Sequence, residues 1–397
     1  MINHLAKQII FRKLKQLHHG QLTIREVNES ITFGNSEKPK ATITVKNNNF
    51  YSYLLFGGSI GSAESYMNQY WNCDNLTNLI RIFALNENLM DQMEGIFNSA
   101  LKHIFNFFHW LNKNTISGSE KNIAKHYDLS NDFFSSFLDQ TMMYSAGIYY
   151  SKKDSLHQAQ LNKLRTICET LNLKKTDKVI EIGSGWGGFA IFAAQNYGCH
   201  VTTTTISQQQ YNYAKNLIKK LKLEKQIKII KQDYRELKGT FNKLVSIEMI
   251  EAVGHHFYDA YFETISRLLQ PDGEALIQAI TIRDQRYLKA LKSVDFIQKY
   301  IFPGSCIPSI NVMQNSITRK TDLVIHGIKD IGIDYAETLK DWRTRFNQNK
   351  ETIKNLGFDI SFQRMWEFYL CYCEGGFREK VISDIQLHLT KKLFRPV

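Results

Sequence analysis

Residues 179–190 read VIEIGSGWGGFA. Three apolar, strand-favouring residues and Glu181 run into glycines at 183, 185, 187 and 188, and the chain then turns apolar with helical spacing. This is the pattern of a strand, a tight loop and a helix start. Glycines let the backbone approach a ligand closely, and the first turn of the helix offers free N–H groups to it. The spacing also satisfies GxGxxG, so the loop alone leaves open which nucleotide-like molecule it holds. A nicotinamide dinucleotide wants a carboxylate about 20 residues further on, at the end of the second strand. Here that strand reads HVTTTTIS and offers Thr205 and Ser207 instead. Glu181 stands just before the glycines, where it could bind an amino group directly or through water.

Outward from this loop, short apolar runs alternate with helical segments, the signature of a doubly wound α/β sheet. Strands are expected at 178–182, 200–205, 227–231, 244–249, 275–281, 322–325 and 385–389. In the last, Ile385, Leu387 and Leu389 alternate with polar residues, which suggests a half-buried antiparallel edge. Arg283–Lys320 reads as a long insertion between the fifth and sixth strands, shaping access to a site. The first ~115 residues mix alternating strands (21–27, 41–45) with helices near 62–71 and 76–85, a smaller α+β domain. Gly57, Gly58 and Gly61 suggest a tight turn. The polar stretch NKNTISGSEKN (112–122) is the boundary candidate, giving domains of 1–115 and 116–397.

Composition narrows the class. Among 397 residues, 43% are hydrophobic and only five are proline, which fits a packed two-domain protein. The six cysteines are scattered without CxxC pairs, so neither a disulfide framework nor a metal site is expected, and a reducing cytoplasm fits. No apolar run suggests a leader or a membrane span. The net charge of +12 points to a polyanionic partner. Lys7, Arg12, Lys13 and Lys15, interleaved with Leu5, Ile9, Phe11, Leu14 and Leu17, suggest an amphipathic helix that lies on a membrane or packs on its own domain. A nucleic-acid methyltransferase would fit the charge, but the chain lacks an N/D-P-P-Y/F segment, so no nucleic acid is expected.

The remaining motifs are HYDLSNDFFSSFLDQTMMYSAGIY (126–149), TISQQQ (205–210), QDYR (232–235), SIEMIEAVGHHFYDAYF (246–262), KYIFPGSCIPS (299–309) and MWEFYLCYCEGGFRE (365–379). With the glycine loop, they resemble in order the cyclopropane-fatty-acyl-phospholipid synthase family. The resemblance implies a class I methyltransferase sheet of seven strands, a lipid- or membrane-binding N-terminal domain, and a cytoplasmic enzyme peripheral on the inner face of the membrane. It implies transfer of a methylene from S-adenosylmethionine to the cis double bond of unsaturated phospholipid acyl chains, and suggests a homodimer.

By that resemblance, Tyr144, Ser145, Glu181, Gly183, Ser184, Gly185, Trp186, Gly187, Thr205, Ile206, Ser207, Gln210, Asp233 and Tyr234 surround S-adenosylmethionine. Tyr234 would stack on adenine and Gln210 would bond the methionine part. Methyl transfer leaves a carbocation, which aromatic faces stabilise; Phe133, Phe134, Phe137, Tyr149, Tyr300, Phe302 and Tyr369 are candidates. Ring closure then needs a base. The resemblance implies a bicarbonate in that role, held by Glu251, Tyr335, Gln278 and the backbones of Ala146 and Ile280. Gln278 stands where the family commonly has histidine and Ala146 where it has cysteine, so the ion is expected on neutral donors. Cys373 matches a cysteine often singled out in the family, although the chemistry needs no thiol. Alternatives are a methyltransferase giving methyl-branched or methylated unsaturated chains, and a non-catalytic lipid-binding protein.

Overall fold

The computed structural model describes residues 2–34, 38–89, 91–92 and 129–396. The polar stretch 112–122 and residues 126–128 of the HYDLS motif lie outside the described residues. The chain divides into two compact units. The first takes the described residues up to 92, together with Lys292–Pro303 and Leu339–Val381. The second takes the described residues from 129 to Leu291, Gly304–Thr338 and the segment from Ile382. A single cut near residue 115 therefore misses two returns of the chain to the first unit. One is the aromatic middle of the insertion, and the other is the segment that carries Cys373.

In the first unit, β1 (Gln21–Arg25), β2 (Ser30–Phe33), β3 (Lys40–Val45) and β4 (Trp71–Cys73) form a sheet in the order β2-β1-β3-β4. β1 pairs antiparallel with β2 and parallel with β3. The basic N-terminal helix, Ile2–Leu14, buries Ala6, Ile10 and Leu14 in its own unit, while Ile2 and Leu5 stay exposed. Its main apolar stripe is thus used in packing, and Lys7 is bonded to Glu26 and Glu29 at 2.7 and 2.9 Å. The glycines at 57–61 lie within the helical run Asn49–Met67, which kinks at Gly58 (φ 53°). A Cβ on Gly61 would fall 2.0 Å from the carbonyl oxygen of Tyr53, so that glycine serves close backbone approach. Helix Ile360–Arg378 packs in the same unit with Gly375 against Ile80.

The second unit holds β5 (Lys178–Ile182), β6 (His200–Thr205), β7 (Ile227–Lys231), β8 (Phe241–Ile247), β9 (Leu269–Ile282), β10 (Val324–Asp330) and β11 (Ile382–Thr390), in the order β10-β11-β9-β8-β5-β6-β7. β5 to β9 run parallel to one another. This is the expected doubly wound seven-stranded sheet, with apolar cores on its faces. The last strand departs from expectation. β11 lies antiparallel between β9 and β10, and β10 takes the edge. Asp384 and Gln386 are buried as well as Ile385 and Leu387, so both faces of β11 are covered. The register sets Gln386 opposite Gln278.

Candidate active site

β5 delivers its carboxyl end to the glycine loop. Gly183, Gly185 and Gly187 have φ of 94°, 49° and 93°, a region that side chains disfavour. The N–H groups of Gly183 and Ser184 donate to the Thr204 carbonyl at 3.1 and 2.8 Å, tying the loop to β6. Gly187 then opens helix Gly188–Tyr197, and a Cβ on Gly185 would meet only open space. Glu181 is buried below the loop and accepts Thr203 Oγ1 at 2.5 Å. Burial pushes its carboxyl up to about 8. A ligand ammonium would compensate that burial, so the loop and Glu181 fit a cosubstrate with a cationic amino end.

Other cofactor candidates have structural duties. Trp186 is buried with Nε1 on Asn131 Oδ1 at 2.8 Å and its ring 4.9 Å from Phe134. Its side chain anchors the loop. Ser207 caps helix Gln208–Lys220, accepting from the Gln210 N–H, and Gln210 Oε1 accepts Thr205 Oγ1 at 2.8 Å. Ile206 is half-buried between them. The Asp233 carboxylate is closed by Arg235, with Nε at 2.8 Å and Nη2 at 2.7 Å. Tyr234 is buried, its ring edge-to-face with Tyr261 at 5.7 Å and beside the Arg235 guanidinium. Tyr144 is half-buried against Phe134 and Phe137.

Directly after β8 the chain makes a second unusual turn. Glu248 has φ of +48°, a conformation that costs a non-glycine residue about 1–3 kcal/mol. The turn sends its carboxylate inward, where three donors converge. Ala146 N–H reaches Oε1 at 2.7 Å, Gln278 Nε2 reaches Oε1 at 2.8 Å, and Tyr335 Oη reaches Oε2 at 2.7 Å. These are the donors expected to hold bicarbonate. The fourth expected donor, Ile280 N–H, goes to Glu251 Oε1 at 2.5 Å, while Glu251 Oε2 is buried without a partner. The site therefore does not fit a bicarbonate in the expected place: a side-chain carboxylate already occupies its donors.

Around this carboxylate the polar groups are closed in. Gln278 Nε2 also donates to Asp384 Oδ2 at 3.0 Å, and its Oε1 accepts Gln386 Nε2 at 3.1 Å. Burial raises the Glu248, Glu251 and Asp384 carboxyls, Glu251 to about 8. The charge of Glu248 pushes the other two further up. Asp384 Oδ1 has no donor serving it, so Asp384 is the neutral member, and the donors around Glu248 leave the charge there. Lys163, wholly buried, bonds Ser145 Oγ at 2.7 Å. Burial brings its ammonium down to about 8 against the pull of Glu248, Asp139, Asp384 and Glu181.

The segment that presents Ala146 is fixed by helix Gly332–Gln348. Gly147 N–H donates to Thr338 Oγ1 at 3.0 Å, Tyr149 N–H donates to Asp334 at 3.1 Å, and Tyr335 projects from the same helix. A Cβ on Gly183 would touch Met249 at 3.1 Å, so the glycine loop abuts the turn that carries Glu248. Glu251, Tyr335, Gln278, Ala146 and Ile280 all lie in this second unit. Cys373 does not. It belongs to the first unit, where burial raises its thiol, favouring the unreactive neutral form. Tyr300, Phe302 and Tyr369 also belong there, and Tyr300 Oη bonds Glu64 at 2.6 Å. Phe133, Phe134 and Phe137 form a fully buried cluster, ring against ring at 5.5–6.0 Å.

Sequence reasoning did not single out Glu248, Asp384 or Lys163. Glu248 had a signal, standing three residues before Glu251 in the same motif. Asp384 and Gln386 alternate with Ile385 and Leu387, which puts the two on one face of β11, and the register sets Gln386 opposite Gln278.

Comparisons with known proteins show the family to which this fold and sequence belong. The family model for mycolic acid cyclopropane synthetase matches residues 115–387. The chain is 37% identical over 352 residues to cyclopropane-fatty-acyl-phospholipid synthase of Escherichia coli (strain K12), covering 87% of this chain and 86% of that protein. It is 34% identical over 353 residues to tuberculostearic acid methyltransferase UfaA1 of Mycobacterium tuberculosis, covering 84% and 79%. Among solved structures it resembles cyclopropane synthase MmaA2 from Mycobacterium tuberculosis, with TM-score 0.64 and 25% identity over 68% of this chain and 98% of that one. Mycolic acid cyclopropane synthase CmaA1, complexed with SAH and CTAB, gives TM-score 0.64 and 28% identity at the same coverage.

Proposed function

Because the chain belongs to the mycolic acid cyclopropane synthetase family, and is thus an S-adenosylmethionine-dependent methyltransferase acting on lipid acyl chains, we propose that it converts cis-unsaturated phospholipid acyl chains to cyclopropane chains. One observation carries the reading: the glycine loop above Glu181 abuts the Glu248 turn, so a cosubstrate site and a buried proton-accepting cluster adjoin in one unit.

S-adenosylmethionine supplies an electrophilic methyl on a sulfonium. Glu181 and the backbone of the 183–187 loop would hold its amino acid end, with Thr205, Ser207 and Gln210 forming the wall beyond β6. An alkene is a weak nucleophile, so the site must align it with the sulfonium methyl and exclude water. The fully buried Phe133, Phe134 and Phe137 supply apolar walling near Tyr144. Loss of a proton from the transferred methyl closes the ring.

Two further points belong to this reading. No helix among the described residues is long and apolar enough to cross a membrane, and the net charge of +12 favours attraction to anionic lipid surfaces. We read the protein as peripheral on the cytoplasmic membrane face. A methyl-branched product is the second reading, favoured by Gln278 and by the likeness to a tuberculostearic acid methyltransferase.

Expression in a host without cyclopropane lipids, followed by acyl-chain analysis, tests the function. Acyl chains that gain one CH2 and lose their double bond are expected. Gain of a methyl with two further hydrogens establishes the second reading, and liposome binding with no turnover of labelled S-adenosylmethionine overturns both.

A further inference from the structure

Resting on that function, we propose that Glu248 is the site's own base, standing in place of the bicarbonate ion that the family resemblance implies. Its carboxylate takes the Ala146 N–H, the Gln278 amide and the Tyr335 hydroxyl together. Those three donors are the ones an oxyanion would need, and the side chain supplies that oxyanion from within the chain. The backbone supports the same conclusion. A glutamate held at φ +48° is strained, and such strain persists where the surrounding structure enforces it, commonly at functional sites. The Glu248 N–H is pinned to the Gln278 carbonyl at 2.8 Å, which enforces the turn.

The surroundings also suit a base. Glu251 and Asp384 flank Glu248 as carboxyls that burial and its charge keep toward their neutral forms. Lys163 supplies a nearby cation. Gln278, positioned by Gln386, is a linker whose single NH2 group serves Glu248 and Asp384 at once. A histidine at this position would present one N–H toward two carboxyls, so the glutamine matches the presence of a resident carboxylate.

The step balances as follows. The alkene π pair forms a bond to the methyl carbon, and the C–S pair leaves on sulfur, turning the sulfonium to a thioether and leaving a carbocation. A C–H bond of the transferred methyl then breaks. Its electron pair closes the C–C bond of the ring, and its proton passes to a Glu248 carboxylate oxygen, to be lost to solvent after product leaves.

The test uses the full chain with vesicles of dioleoylphosphatidylglycerol in bicarbonate-depleted buffer. Wild-type turnover should stay within about twofold of its value in added bicarbonate. Glu248→Gln should lose about 10²–10⁴-fold in kcat, the usual contribution of a general base, while its melting curve and S-adenosylhomocysteine affinity are kept. Glu248→Gly accepts the left-handed backbone and empties the three donors, so added bicarbonate should restore part of its lost activity. Binding of ¹³C-bicarbonate, read by NMR, adds a measurement that needs no turnover: Glu248→Gly should bind the ion and wild type should not. Wild-type activity that falls on depletion and returns with bicarbonate, full activity in Glu248→Gln, or bicarbonate bound by wild type would each overturn the proposal. Failure of wild type to modify lipid at all would instead overturn the function it rests on, and the NMR titration would still decide whether Glu248 fills the anion place.

Discussion

Gln278 Nε2 lies 2.8 Å from Glu248 Oε1, a contact fixed by two strands rather than by loops. Glu248 follows the end of β8, and Gln278 is paired with the last residue of that strand, Ile247. The same amide serves Asp384, so its loss would leave two buried carboxyls short of a donor. A hydrogen bond to a charged group contributes about 1.5–3 kcal/mol. Gln278→Leu should therefore lower kcat by roughly 10- to 100-fold, with S-adenosylmethionine affinity unchanged. Steady-state kinetics with parallel calorimetric titration checks the split.

Lys163 is a buried cation among Glu181, Glu248, Asp139 and Asp384. Replacing it with an apolar residue leaves Glu248 without that compensation. Leaving buried carboxylates without a compensating cation is costly, so Lys163→Met, which also removes the bond to Ser145 Oγ, should lower the melting temperature by several degrees. A melt within a degree of wild type would contradict the electrostatic account.

Glu181 makes cosubstrate binding depend on pH. With its carboxyl pushed up to about 8, the group is mostly protonated at pH 7 in the free protein. Contact with a ligand ammonium favours the carboxylate, so binding near pH 7 releases a proton. Affinity should strengthen as pH rises from about 6 toward 8, then weaken as the ligand's own amine loses its proton. Calorimetry in two buffers of different ionisation heat measures the released proton, and Glu181→Gln should abolish that release.

Cys373 lies in the first unit with a thiol held neutral by burial. Cys373→Ser should keep kcat within about threefold, since the alkene attacks the sulfonium without a covalent enzyme intermediate. Stoichiometric inactivation by a small alkylating agent, absent in the serine variant, would be the contrary result.

The sequence made the sheet legible because its strands carry strong local patterns. The spans 178–182, 200–205 and 227–231 match β5, β6 and β7, each a short run closed by a loop or helix cap. The place of the last strand was not legible, because alternation in Ile385, Leu387 and Leu389 reports one apolar face and says nothing of which strands flank it. The two returns of the chain to the first unit were not legible for a related reason. Segments 292–303 and 339–381 join the first unit through contacts far apart in sequence. Motif resemblance brought together Glu251, Tyr335, Gln278, Ala146 and Ile280, all in one unit. It passed over Glu248, whose nearness to Glu251 in the motif carries no trace of the backbone angle and the three converging donors that mark it in the folded chain.

The most direct measurement follows the hydrogens of the transferred methyl. With S-adenosylmethionine carrying a fully deuterated methyl, a base that closes the ring must remove one deuteron. Mass spectrometry of the acyl chains should then find a ring CH2 retaining two deuteriums, with the third lost to solvent. A product retaining all three as an intact CD3 group would show that the cation is quenched elsewhere, contradicting ring closure.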